Sequence, residues 1–229
     1  MTTTPADAYN YDIFEPTPYI AGTCEGPQVG ERLGDVPVQR LDGSTTTLAA
    51  VADGLVVMET GSTTCPLYRR NITGMRTVAA DYPDATFVVL YTREAHPGER
   101  RGPHHTIDDK RSAAASLPVA AGEWRTILVD DLDGSLHRRL EGAPDSVTIL
   151  NGDGTVLAYF HDATPGAVRR ALARIRAGRP VGDIASRFLP PPPSTALRAL
   201  LTGGWQAVRD FLRGLPALAA YRLRGGHPC

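Results

Sequence analysis

Leu55-Val56-Val57-Met58-Glu59-Thr60-Gly61-Ser62-Thr63-Thr64-Cys65-Pro66 is the stretch that decides the fold. Leu55 to Met58 is a compact, β-branched apolar run of the kind a buried central strand needs, and Gly61-Ser62-Thr63-Thr64 ends it. Pro66 suits the first turn of a helix, where its missing N–H would have no partner in any case, and Ser62, Thr63 or Thr64 can cap that helix. Leu67, Ile72, Met75 and Val78-Ala79 then recur at helical spacing as far as Asp81-Tyr82-Pro83. Cys65 thus stands where a strand ends and a helix begins. Unbonded N–H groups and the positive end of the helix dipole favour a thiolate there, which predicts a lowered pKa and a raised nucleophilicity.

Outward from this junction the chain alternates strand-like and helix-like stretches. Thr86 to Tyr91 is the clearest strand, and it leads into a polar loop through Glu94, His96, Arg100, Arg101 and His104-His105. A helix is expected over Ile107 to Leu117, a strand over Arg125 to Val129 and a short helix over Gly134 to Leu140. Val147 to Leu150 and Val156 to Phe160, joined by Asn151-Gly152-Asp153-Gly154, read as a hairpin, and Pro165 to Ala177 as a closing helix. Before the junction, Val36 to Leu41 followed by Asp42-Gly43 reads as a strand and turn. The pattern is that of an α/β protein with a central sheet flanked by helices.

Both ends depart from this alternation. Residues 1–27 read as an irregular N-terminal arm, 28–180 as the α/β domain, and 181–229 as a Pro-rich linker with a helical extension. Leu189-Pro190-Pro191-Pro192-Pro193 is stiff and marks the boundary. Beyond it Leu197, Leu200-Leu201, Trp205, Val208, Phe211-Leu212 and Leu215 recur near every 3.6 residues, an amphipathic helix weakened by Gly203-Gly204. From Leu189 onward five Arg face one Asp, so a +4 tail is joined to a −5 body. Such a helix docks on its own domain, on a second copy (a homodimer), or on an anionic membrane surface.

The whole chain, 229 residues with 42% hydrophobic and 21% charged residues, carries a net charge of −1 and can bury a real core. Its mean hydropathy is −0.19. The even charge balance argues against nucleic acid as a partner. Three cysteines, Cys24, Cys65 and Cys229, are too few for a disulfide framework and fit a reducing compartment. The first residues lack the basic start and apolar stretch of a secretory signal, and no run is long enough to span a bilayer, so a cytoplasmic location is expected.

The motif around Cys65 narrows the chemistry. Cys65-Pro66-Leu67-Tyr68 lacks the second cysteine of a Cys-x-x-Cys dithiol, although a strand, a Ser/Thr loop, Cys-Pro and a helix are similar to the thioredoxin fold. Gly61-Ser62-Thr63-Thr64-Cys65-Pro66 resembles the selenocysteine motif of the iodothyronine deiodinases, with Cys65 in the selenocysteine position. Tyr91-Thr92-Arg93-Glu94-Ala95-His96-Pro97 resembles that family's Tyr-x-x-Glu-Ala-His-Pro segment, and His104-His105 with Asp109-Lys110-Arg111 and Ala113-Ala114 resembles a third stretch. The resemblance covers about residues 28 to 178.

The resemblance implies a thioredoxin-like fold and reductive dehalogenation of a small aromatic substrate, with Cys65 as nucleophile. It implies that Glu94 and His96 are catalytic and that Ser62, Thr64, Tyr91 and His104 bind substrate or move protons. Chemically, a soft sulfur attacks the halogen while a nearby acid supplies the proton that replaces it on carbon. Glu94 is expected to raise the pKa of His96 or hold its tautomer. No bound cofactor and no metal are expected; the sulfenyl halide formed at Cys65 calls for an external thiol reductant. Thr63 stands where some deiodinases carry a cysteine, so Cys24 and Cys229 are the internal candidates for a resolving thiol. His137, His161 and His227 receive no role. Two alternatives remain: a peroxiredoxin-like thiol peroxidase, using Arg69, Arg100 or Arg101 beside the sulfur, and a thioredoxin-fold binding protein without turnover.

Overall fold

The computed structural model describes residues 9–16, 26–51, 53–142, 145–182, 184 and 189–223. Strands β1 (Pro37–Arg40), β2 (Thr45–Thr47) and β3 (Leu55–Gly61) are followed by helix α1 (Pro66–Asp81) and strand β4 (Ala85–Tyr91). Then come α2 (Ile107–Ala115), α3 (Leu117–Ala121), β5 (Thr126–Val129), α4 (Ser135–Arg139), β6 (Val147–Leu150), β7 (Val156–Phe160) and α5 (Pro165–Arg176). Helices α6 (Pro193–Gly203) and α7 (Trp205–Leu223) complete the order. The strands form one seven-stranded sheet in the order β2-β1-β5-β4-β3-β6-β7. β3, β4 and β5 are parallel, as β3-α1-β4 and β4-α2-β5 crossovers require, while β1, β6 and β7 run antiparallel to their neighbours. This is the thioredoxin-like α/β sheet expected from the sequence.

Alternation along β4 shows how the two faces are filled. Phe87, Val89 and Tyr91 point to the side covered by α1, α2 and α5, and Val88 and Leu90 to the side covered by α4 and the lead-in around Leu33, Val38 and Leu48. In β3, Val56 and Met58 share the second face, while Val57, Glu59 and Gly61 lie under α1. A charged residue, Glu59, thus sits fully buried in an interior strand of the sheet.

Several boundaries differ from the sequence expectation. The helix expected over Ile107 to Leu117 is two helices, because Ser116 folds its hydroxyl back onto the Ala113 carbonyl at 2.6 Å and Pro118 opens the next turn. The single C-terminal helix is broken at Gly204, whose φ of 107° is open only to glycine in practice. β2, three consecutive threonines, was not anticipated. α2 carries the one lysine of the chain, Lys110, fully buried, with its ammonium donating to the Asp131 carbonyl at 2.6 Å. Burial pushes its pKa down to about 8. Tyr9 of the arm packs across it, with its hydroxyl 2.9 Å from His137 Nδ1, so His137, given no role from sequence, anchors the arm.

Candidate active site

Cys65 is itself the N-cap residue of α1, with an extended φ of −84° and ψ of 112°. Its Sγ accepts a hydrogen bond from the Tyr68 N–H at 3.5 Å, so the cap is the thiol and not a hydroxyl of Ser62, Thr63 or Thr64. Those three side chains are committed to the loop after β4. Gly61 makes the junction tight, since a Cβ there would lie 2.4 Å from the Tyr68 ring.

Glu94 is the hub of that loop. Its carboxylate accepts from Thr63 Oγ1 at 2.7 Å, from the Thr64 N–H at 3.0 Å and Thr64 Oγ1 at 2.7 Å, and from the Tyr91 hydroxyl. Ser62 Oγ accepts from the Ala95 N–H at 3.1 Å, and Thr64 Oγ1 accepts from the His96 N–H at 3.0 Å. The residues before Cys65 and the segment Tyr91 to His96, about thirty positions apart in sequence, are therefore stitched into one buried unit. Tyr91, fully buried beside the Glu94 carboxylate, has its phenol held well above the usual range, chiefly by burial.

The structure corrects two electrostatic expectations. The Cys65 thiol is 1% exposed, and burial, with the Asp145 carboxylate next, pushes its pKa up to about 12. The helix terminus is outweighed because a thiolate here would lose its hydration. Glu94 does not raise the pKa of His96: its oxygens are taken by Thr63, Thr64 and Tyr91, and burial pushes the imidazole down to about 3. His96 Nδ1 is buried without a hydrogen-bond partner among the described residues, and the ring lies 4.3 Å from the Phe14 ring and 5.2 Å from that of Phe211, centroid to centroid. His104, packed 5.8 Å from the Tyr91 ring, is likewise neutral at pH 7, with burial pushing it down to about 4 and its Nε2 lacking a partner among the described residues.

A second buried polar group lies behind α1 and was missed from sequence. Asn71 Nδ2 reaches Glu59 Oε1 at 2.9 Å and Asp145 Oδ2 at 3.1 Å, and Arg70 Nη2 reaches Asp145 Oδ2 at 3.1 Å. Arg125 pairs with both Glu59 and Glu123, and Glu123 accepts from the Tyr68 hydroxyl. Burial, with the Glu59 charge, holds the Asp145 carboxyl well above the usual range. The available signal was Glu59, a charge inside an apolar central strand, together with Arg70 and Asn71 one turn into α1.

Among the arginines proposed to serve the sulfur, Arg69, whose pKa burial lowers, donates to Thr202 Oγ1 at 2.8 Å, whereas Arg101 donates to Ser116 Oγ at 3.1 Å. Arg70, not singled out from sequence, is the arginine whose charge lowers the Cys65 pKa. Cys24, Cys229 and His227 lie outside the described residues. Among the described residues no three His, Cys, Asp or Glu side chains group as metal ligands, and no helix is long and apolar enough to cross a membrane.

No protein-family model and no curated protein matches the chain. Solved structures that it is similar to include a secreted disulfide oxidoreductase of Mycobacterium tuberculosis homologous to E. coli DsbE. That match has 19% identity over 62% of this chain and 96% of that one, with a TM-score of 0.45. A putative thiol:disulfide interchange protein DsbE from Chlorobium tepidum matches at 16% identity over 68% and 99%, with a TM-score of 0.48. A thioredoxin-like protein from Aeropyrum pernix matches at 14% over 62% and 89%, with a TM-score of 0.49.

Proposed function

We propose that the protein is a thiol-dependent oxidoreductase that removes halogen reductively from a small aromatic compound at Cys65. The observation that carries this reading is the joining of Ser62, Thr63 and Thr64 to Glu94, Ala95 and His96 immediately before the cysteine. These are the two segments whose sequences resemble the deiodinases.

The buried, neutral thiol fits a particular proton balance. In the first step sulfur bonds to the halogen, the carbon–halogen bond breaks, and the thiol proton ends on carbon, so the overall exchange needs no outside acid. Neutral His96 and His104 can relay that proton because each has a ring nitrogen without a partner among the described residues. One external thiol then displaces halide from the sulfenyl halide to form a mixed disulfide, and a second releases Cys65 as thiol with the reductant oxidised to its disulfide. Cys65-Pro66-Leu67-Tyr68 offers no internal partner, since Tyr68 fills the fourth position and is fully buried.

The test is iodide release from iodotyrosine and iodothyronine with excess dithiol, run beside peroxide consumption, for wild type and Cys65→Ser. Iodide release lost in the variant supports the reading. Peroxide turnover without iodide favours the thiol peroxidase, for which Arg69 and Arg70 near the sulfur speak. Identical behaviour of both proteins leaves the third reading, a binding protein without turnover, which the burial of Cys65 favours.

A further inference from the structure

The C-terminal helices and the arm meet over the catalytic loop from two sides. α6 packs along α1, with Ala199 and Leu200 buried. The approach at Gly98 and Gly203 is backbone to backbone: the Arg100 N–H donates to the Gly203 carbonyl at 2.9 Å, and a Cβ on Gly203 would come 2.6 Å from the His96 carbonyl oxygen. α7 begins on the Glu99 carboxylate, which accepts from the N–H groups of Trp205 and Gln206 at 2.7 and 2.8 Å. From the other side the Tyr11 hydroxyl donates to the Ala95 carbonyl at 2.8 Å, and Phe14 stacks on His96 and meets Phe211 at 6.2 Å.

We infer that arm and extension form a cover over the Ala95–His96 loop, which packs in one cluster with Cys65, and that this cover opens far enough for a small molecule but not for a folded protein to reach the thiol, with Glu99 as its latch. The two helices hold unequally. α6 is anchored by its buried face, whereas α7 leaves Trp205 65% and Leu212 57% exposed and turns about the φ-positive Gly204. Loosening α7 withdraws Phe211 from His96 while α6 stays in place, a local opening of a weakly held element. A protein disulfide must bring its sulfur to about 2.05 Å from the attacking sulfur, and a folded partner has no path there under α6. The inference holds for any thiol chemistry at Cys65 and does not rest on dehalogenation.

The test uses the full chain with Cys24→Ser and Cys229→Ser, so that Cys65 alone reacts. Its rate is measured with iodoacetamide and with a maleimide coupled to a folded carrier protein, each relative to the denatured chain. The raised thiol pKa slows both reagents alike and cancels in the comparison. Native Cys65 should react measurably with iodoacetamide and resist the carrier. Glu99→Ala should raise the iodoacetamide rate about fivefold, what a helix cap is worth in an opening equilibrium. Equal protection against both reagents overturns the inference, and so does a Glu99→Ala rate equal to that of wild type. Glu99 is exposed, so its variant leaves the fold in place and carries the test.

Discussion

The Thr64 hydroxyl donates to the Glu94 carboxylate at 2.7 Å while accepting from the His96 N–H at 3.0 Å. One side chain, adjacent to Cys65, thereby sets the position of both acid and imidazole. Thr64→Val keeps the shape and removes both bonds, leaving the His96 N–H buried without an acceptor. It should cost about 2 kcal/mol of stability, as a stranded buried donor does, read by urea denaturation. Thr64→Ser, which restores the hydroxyl, should recover most of it.

Cys65 should stay protonated where an ordinary cysteine, with a pKa of about 8.5, is largely ionised. In the chain lacking Cys24 and Cys229, the ultraviolet absorbance of the thiolate should be absent at neutral pH and rise only toward about 12. Asp145→Asn removes a nearby negative charge and should move the midpoint down; Arg70→Gln removes a positive one and should move it up. A midpoint below that of free cysteine would contradict this.

His96 and His104 are depressed in the folded chain, to about 3 and about 4, so the unfolded chain binds protons first as pH falls. Their contribution to stability is complete above the unfolded value near 6.5 and is lost as pH drops toward the folded values. Between pH 6 and 5 each should remove up to about 1.4 kcal/mol per pH unit from the unfolding free energy. Denaturant midpoints across that window check the slope, and His96→Gln should flatten it.

Gly203→Ala places a methyl 2.6 Å from the His96 carbonyl oxygen and 2.8 Å from Ala207 Cβ. The nearer neighbour is backbone and cannot swing aside. Overpacking of this kind costs roughly 1–3 kcal/mol, which thermal melting would show. Gly122→Ala, where a Cβ meets nothing but φ is 72°, separates backbone strain from crowding.

What the sequence made legible was whatever lies close along the chain. The run Leu55 to Met58, Pro66 after Cys65, and the alternation in Phe87 to Tyr91 each locate an element from its own residues. Electrostatics did not transfer in this way. A cysteine at a helix start implies a lowered pKa only while water reaches it, and the core cluster that buries it draws on Val89, Ala113, Leu117 and Ile127, far away in sequence. Glu94 and His96 lie in one buried unit, but the hydrogen-bond partners of Glu94 are Thr63, Thr64 and Tyr91. The tail's apolar period was read as one stripe, but Trp205 and Leu212 face solvent while Ala207 and Leu200 face the body, because the break at Gly204 re-aims α7. Asp145 and Glu59 come together around Asn71, which reaches both, a contact no local pattern announces.

The enclosure of Lys110 has a practical corollary for anyone handling the protein. Amine-directed labels and cross-linkers have one side-chain target in these 229 residues, and it is sealed beneath α2 against the Asp131 carbonyl. Acylation of that ε-amine is therefore a chemical clock for unfolding: the folded chain stays silent, and each molecule that incorporates label has opened at least as far as the seat of α2.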